Sequence, residues 1–132
     1  MSQYVTNVDD QHEKDEELQW ARILASGNPV LGMILVFVQK FCTSVHEYGP
    51  AFEAGVLDES TLEFYRTRLL KRLDYTLDII RWNEMTDALP SEILTGIRQK
   101  MVDAKTQAEL AELVEDVHMA GHAICDAMEE IA

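Results

Sequence analysis

The sequence predicts an all-α protein: an antiparallel helical bundle of four long helices plus one shorter helix, built around a central hydrophobic helix over about residues 29–48. Three observations predict it. Residues 30–38, VLGMILVFV, contain no polar side chain, and apolar residues then continue at steps of three and four through Phe41, Cys42, Val45 and Tyr48. Helix start and stop signals recur along the whole chain. No stretch alternates apolar and polar residues as a half-buried strand would.

The elements follow in order. Residues 1–8 are expected to be flexible and residues 9–132 to form a single helical domain, long enough for a core without staples. Asp9 or Asp10 caps a first helix whose opening turns carry Glu13, Asp15, Glu16 and Glu17, where negative charge complements the helix dipole. Leu18, Ala21, Leu24 and Ala25, with Trp20 and Ile23, form its apolar side until Ser26-Gly27-Asn28 ends it. Pro29 suits the first position of the central helix, because its missing N–H would be unsatisfied there anyway. An element apolar on every side must be covered on every side. A membrane span needs about 20 apolar residues, and Gln39 and Lys40 interrupt the run too early.

Gly49-Pro50 is expected to stop the central helix, leaving AFEAGVL as one helical turn closed by Gly55. Asp58, or Ser60 in a capping box with Glu63, starts the longest helix, predicted to reach Met85 or Thr86. Leu62, Tyr65, Leu69, Leu73, Thr76, Leu77 and Ile80 make its core stripe. After Pro90, Ser91 caps a helix holding Ile93, Leu94, Ile97, Met101 and Val102. A turn over 103–105 and a second box, Thr106 with Glu109, lead into a final helix reaching toward Ile131.

Charge bounds the function. With 24 acidic and 11 basic residues the net charge is −13, which excludes direct nucleic-acid contact through clustered cations and disfavours an anionic membrane surface. The surplus sits at the ends: residues 1–29 carry six acids and two bases and residues 88–132 nine and three, while residues 58–87 carry seven and five. This distribution serves solubility and leaves an acidic surface for a basic protein partner. Cys42 and Cys125 fall in apolar helical surroundings and read as two reduced, buried thiols. The N-terminal residues lack the basic and apolar regions of a signal peptide, so the expected location is cytoplasmic.

Constellations that would carry chemistry are incomplete. His118 and His122 stand one turn apart, spaced for a shared metal ion, with Glu115, Asp126 and Glu129 nearby and His46 as the nitrogen ligand able to approach. A second Glu-x-x-His, needed for a di-iron centre, is absent, and the pair borders the core, so they are read as boundary histidines and no metal is assigned. Residues 9–13, DDQHE, resemble a magnesium motif but open a helix where acids are favoured anyway. Glu112, Glu115 and Asp116 read as a solvated face. Cys42 and His46 have nucleophile and base spacing, yet a thiol on a buried helix is inert. No catalytic residue and no cofactor is assigned.

The most informative feature is a second face on the longest helix, made by Phe64, Arg68, Lys71, Tyr75, Ile79 and Trp82. Phe64 to Tyr75 is eleven residues and Tyr75 to Trp82 is seven, both returning to the same helical side. Either another helix of the chain covers this face, or a second copy does. Aromatics and arginine are favoured at interfaces, and two-fold dimers are the commonest oligomers. The sequence therefore predicts a non-catalytic protein–protein interaction module, an acidic adaptor, regulator or inhibitor acting as a homodimer through these six residues. Two alternatives stand beside it: a metal-binding bundle or metal-dependent enzyme using His118 and His122, and an acidic mimic of nucleic acid that inhibits a basic protein.

Overall fold

A computed structural model describes the backbone of residues 2–132 and the side chains from Lys14 onward. The helices are α1 (Ser2–Ala25), α2 (Pro29–Ala54), α3 (Glu59–Trp82), α4 (Ser91–Asp103) and α5 (Gln107–Ile131), with no strand among the described residues. The all-α bundle of four long helices and one shorter helix, α4, is the predicted fold. α2 packs chiefly against α5 and α3, α4 bridges α3 and α5, and α1 lies along the side of α2 and α5.

Local chemistry explains most boundaries and corrects several expected ones. The first helix begins at Ser2, so neither Asp9 nor Asp10 is its cap. The expected flexibility of residues 1–8 and the DDQHE motif fall outside the described side chains. Asn28 caps α2, its side chain accepting from the N–H groups of Val30 and Leu31, with Pro29 as the first helical residue. Gly49-Pro50 does not stop α2, which continues to Ala54. The reason is Phe52: continuing the helix buries its ring completely, edge-on to Tyr48 and Tyr65, while exposed Pro50 leaves the freed carbonyl one turn back near water. Gly55, at φ 67°, then ends α2 in the left-handed conformation that glycine adopts without steric penalty.

Asp58 caps α3 by accepting from the Thr61 N–H at 2.8 Å, and Ser60 donates its hydroxyl to Asp58 instead of forming a box with Glu63. These hydrogen bonds hold the Asp58 carboxyl below its ordinary pKa. α3 ends at Trp82, short of the expected Met85 or Thr86, because Asn83 caps the Ile79 carbonyl and Glu84 turns into the left-handed region at φ 57°. Ser91 does not cap α4; its hydroxyl donates back to the Thr86 carbonyl. Thr106 caps α5, accepting from the Glu109 N–H, and the Glu109 carboxylate meets the Thr106 hydroxyl at 3.3 Å.

The core is one cluster centred on Leu31, Ile34, Phe41, Leu69, Leu73 and Ile124, each essentially inaccessible. α2 is long and apolar enough by composition to cross a membrane, and its apolar side is packed here against the other helices. The demand that the central helix be covered on every side is not met: Met33 is 38 % and Val36 42 % exposed. α2 therefore behaves as a one-sided core helix with an apolar outer edge. Two polar side chains of α3 lie against it: Arg72 donates to the Ser44 hydroxyl, and the Thr76 hydroxyl, with one proton, stands 2.9 Å from the Arg72 carbonyl of its own helix and 3.3 Å from the Phe37 carbonyl of α2.

Candidate functional site

The six residues singled out on α3 divide into two kinds. Phe64 is 58 %, Tyr75 49 % and Trp82 70 % exposed, and Arg68 and Lys71 are exposed with them. Ile79 is half-buried against the core and forms the border of the strip. Among the described residues, nothing covers Phe64, Tyr75 and Trp82. Exposed aromatics surrounded by cations are uncommon on a surface otherwise dominated by carboxylates. The Lys71 ammonium lies 6.0 Å from the centroid of the Tyr75 ring, at the reach of a cation–π contact. Asp78, which pairs with Arg81 one turn on, sits at the edge of the same strip; its place was missed in the sequence because a lone acid in a charged helix carries no signal.

The second feature is a cleft of about 540 Å³ where α1 lies against α2 and α5, lined by Glu16, Trp20, Cys42, His46, His118 and His122 among others. α1 is held there by buried Ile23, by Gln19 donating to Asp126 and Glu129 at 2.7 and 2.8 Å, and by Arg22 pairing with Glu129 at 2.6 Å. The Arg22 and Gln19 hydrogen bonds hold the Glu129 carboxyl below its ordinary pKa. Small residues let α2 and α5 approach on the inner wall: a Cβ at Gly121 would stand 3.0 Å from the Cys42 sulfur.

At the mouth of the cleft the His118 and His122 Nε2 atoms are 3.1 Å apart, and Glu16 Oε1 lies 3.2 Å from His122 Nε2. His118 is exposed, whereas His122 and Glu16 are half-buried. Among the described residues, the group that joins the histidine pair within ligand distance is Glu16, not the expected His46, Glu115 or Glu129. Glu16 belongs to a different helix, and nothing in its local sequence separates it from the acids around it. Glu115 and His46 line the same cleft, and Asp116 is taken by Lys100 at 3.2 Å.

Cys42 and Cys125 are both free thiols on the cleft wall. Burial raises Cys42 from 9.0 to about 12, with neighbouring Cys125 and Glu16 adding to it, and burial raises Cys125 from 9.0 to about 11. Neither is a nucleophile at neutral pH, so Cys42 and His46 do not form a catalytic pair. The folded state binds these protons more tightly than the unfolded chain. The resulting stability is complete below the unfolded value of 9.0 and is lost as pH rises toward 11 and 12. Urea unfolding is expected to give a midpoint that declines above about pH 9, and a Cys42→Ala/Cys125→Ala variant is expected to decline less steeply. Parallel declines in the two proteins would refute the assignment.

No protein-family model, curated protein or solved structure matches this chain.

Proposed function

We propose that this protein is a non-catalytic interaction module that acts as a homodimer, with the outer face of α3 pairing against the same face of a second copy. The observation that carries this reading is the order of residues about Leu73. Phe64 and Trp82 lie nine residues to either side of it, Arg68 and Asp78 five, and Lys71 and Tyr75 two.

In two antiparallel helices related by a two-fold axis at the level of Leu73, equal separations from that residue fall at equal heights, since the rise per residue is the same in both. A two-fold interface also repeats every contact with the partners exchanged. The pairing therefore sets ring against ring, guanidinium against carboxylate, and ammonium against phenol. Aromatic pairs and cation–π contacts of this kind are each worth about 0.5–1.5 kcal/mol beyond the area they bury.

With α3 at the two-fold axis, the acidic surfaces of α1 and α5 are presented twice. A basic protein is the partner whose charge they complement, and the role that fits is that of a cytoplasmic adaptor, regulator or inhibitor. Light scattering on a sizing column tests the dimer. The expected result is twice the 15.0 kDa chain mass, falling to a monomer of unchanged helicity in Trp82→Glu. A wild-type protein that stays at 15.0 kDa at high concentration refutes the proposal.

A further inference from the structure

We infer that Glu16, His118 and His122 form a binding site for a divalent transition-metal ion of the zinc type, which fastens α1 to α5. This site lies on the cleft side of the bundle and is independent of the α3 face.

Geometry is the first support. The ligand atoms of the three residues, two imidazole nitrogens and one carboxylate oxygen, all lie within 4.8 Å of one another. The two shorter separations are 3.1 and 3.2 Å. Four ligands around a tetrahedral ion with bonds of about 2.0–2.1 Å stand about 3.3–3.4 Å from each other. Two of the three separations thus match the edge of such a tetrahedron, and the third is within 4.8 Å, a spread that a side-chain rotation can close. The fourth corner is left to water from the cleft.

Proton accounting is the second support. A neutral imidazole carries one N–H, so at most one proton fits between the two Nε2 atoms, and Glu16 Oε1 faces the same His122 nitrogen. A proton on the His122 nitrogen therefore faces two acceptors, the His118 nitrogen and the Glu16 carboxylate. A cation at the point of convergence accepts all three lone pairs together. Two imidazoles with one carboxylate select zinc, or cobalt and nickel in its place, over calcium or magnesium, which favour all-oxygen sites.

The ligands come from two helices, and this gives the site a consequence. His118 and His122 are one turn apart on α5, and Glu16 is the contribution of α1. Among the described residues, partly exposed Gln19 and Arg22 tie α1 to α5 through Asp126 and Glu129. An ion shared between the helices adds a bond that water does not screen, so its binding raises the protection of α1 more than that of the other helices.

Tag-free, chelator-treated protein titrated calorimetrically with zinc sulfate tests the site. One zinc per chain is expected, and binding is expected to be lost in Glu16→Gln and in His122→Ala, with weakening as pH falls because the imidazoles must be deprotonated. All three side chains lie at the surface edge, so circular dichroism of the variants is expected to match the wild type. Hydrogen exchange with and without zinc adds a reading that needs no variant: slowed exchange concentrated in α1 is expected. Absence of stoichiometric binding overturns the inference. So does binding that survives in both Glu16→Gln and His122→Ala, or zinc-dependent protection that spares α1.

Discussion

Phe41→Ala is expected to lower the unfolding free energy by about 3–5 kcal/mol, the cost of deleting a large buried ring and leaving a cavity the neighbours only partly fill. Phe41 is fully inaccessible and sits midway along α2, the helix that both α3 and α5 pack against. Domains of this size typically retain about 5–15 kcal/mol in total, so the loss consumes a large share of it. Thermal unfolding should move down by roughly 10–20 °C, and urea unfolding should shift its midpoint with little change in slope. Leu24→Ala is the matched control. Leu24 is apolar but 57 % exposed, and its truncation is expected to change stability by under about 0.5 kcal/mol. A Phe41→Ala protein within about 1 kcal/mol of wild type would show that this part of the core is not close-packed.

The second large effect concerns association. If Arg68 meets Asp78 across a two-fold axis, Arg68→Asp places two carboxylates together, twice by symmetry, and Asp78→Arg does the same with two cations. Each single variant is expected to raise the dimer dissociation constant by about 10- to 100-fold, the equivalent of roughly 1.4–2.8 kcal/mol. The double variant Arg68→Asp/Asp78→Arg restores opposite charges and is expected to recover most of the wild-type affinity. Asp78 also pairs with Arg81 within its own helix, so the Asp78→Arg single should lose a few tenths of a kcal/mol of stability as well. That loss is read separately by thermal unfolding. Sedimentation of the four proteins decides the matter. Singles that dimerise like wild type, or a double that stays monomeric, would refute the register even if some other dimer forms.

The two candidate sites differ in how far they could be read beforehand. The α3 strip was legible because a single helix carries it: spacing alone puts Phe64, Tyr75 and Trp82 on one side, away from Leu69, Leu73 and Ile80. Its exposure was not legible, since an uncovered helical face and one covered by a neighbour have the same spacing. The cleft site was half legible. His118 and His122 are a local pair, but Glu16 is more than a hundred residues away in a run of acids.

By itself the sequence determined the all-α class, four of the five helix starts to within a residue or so, the buried stripe of α3, and the acidic balance; the apolar side expected for α1 was not the buried one, since Leu18 and Leu24 are exposed and Ile23 is buried. Those properties depend on periodicity and capping, which act over a few residues. Only the tertiary structure decided that α2 runs through Pro50, that Met33 and Val36 remain in contact with water, and that α1 brings Glu16 to the histidine pair. Each of those outcomes is set by what one helix meets on another. Burial of Phe52 outweighs a proline, and a carboxylate becomes a candidate ligand only when a second helix arrives beside it.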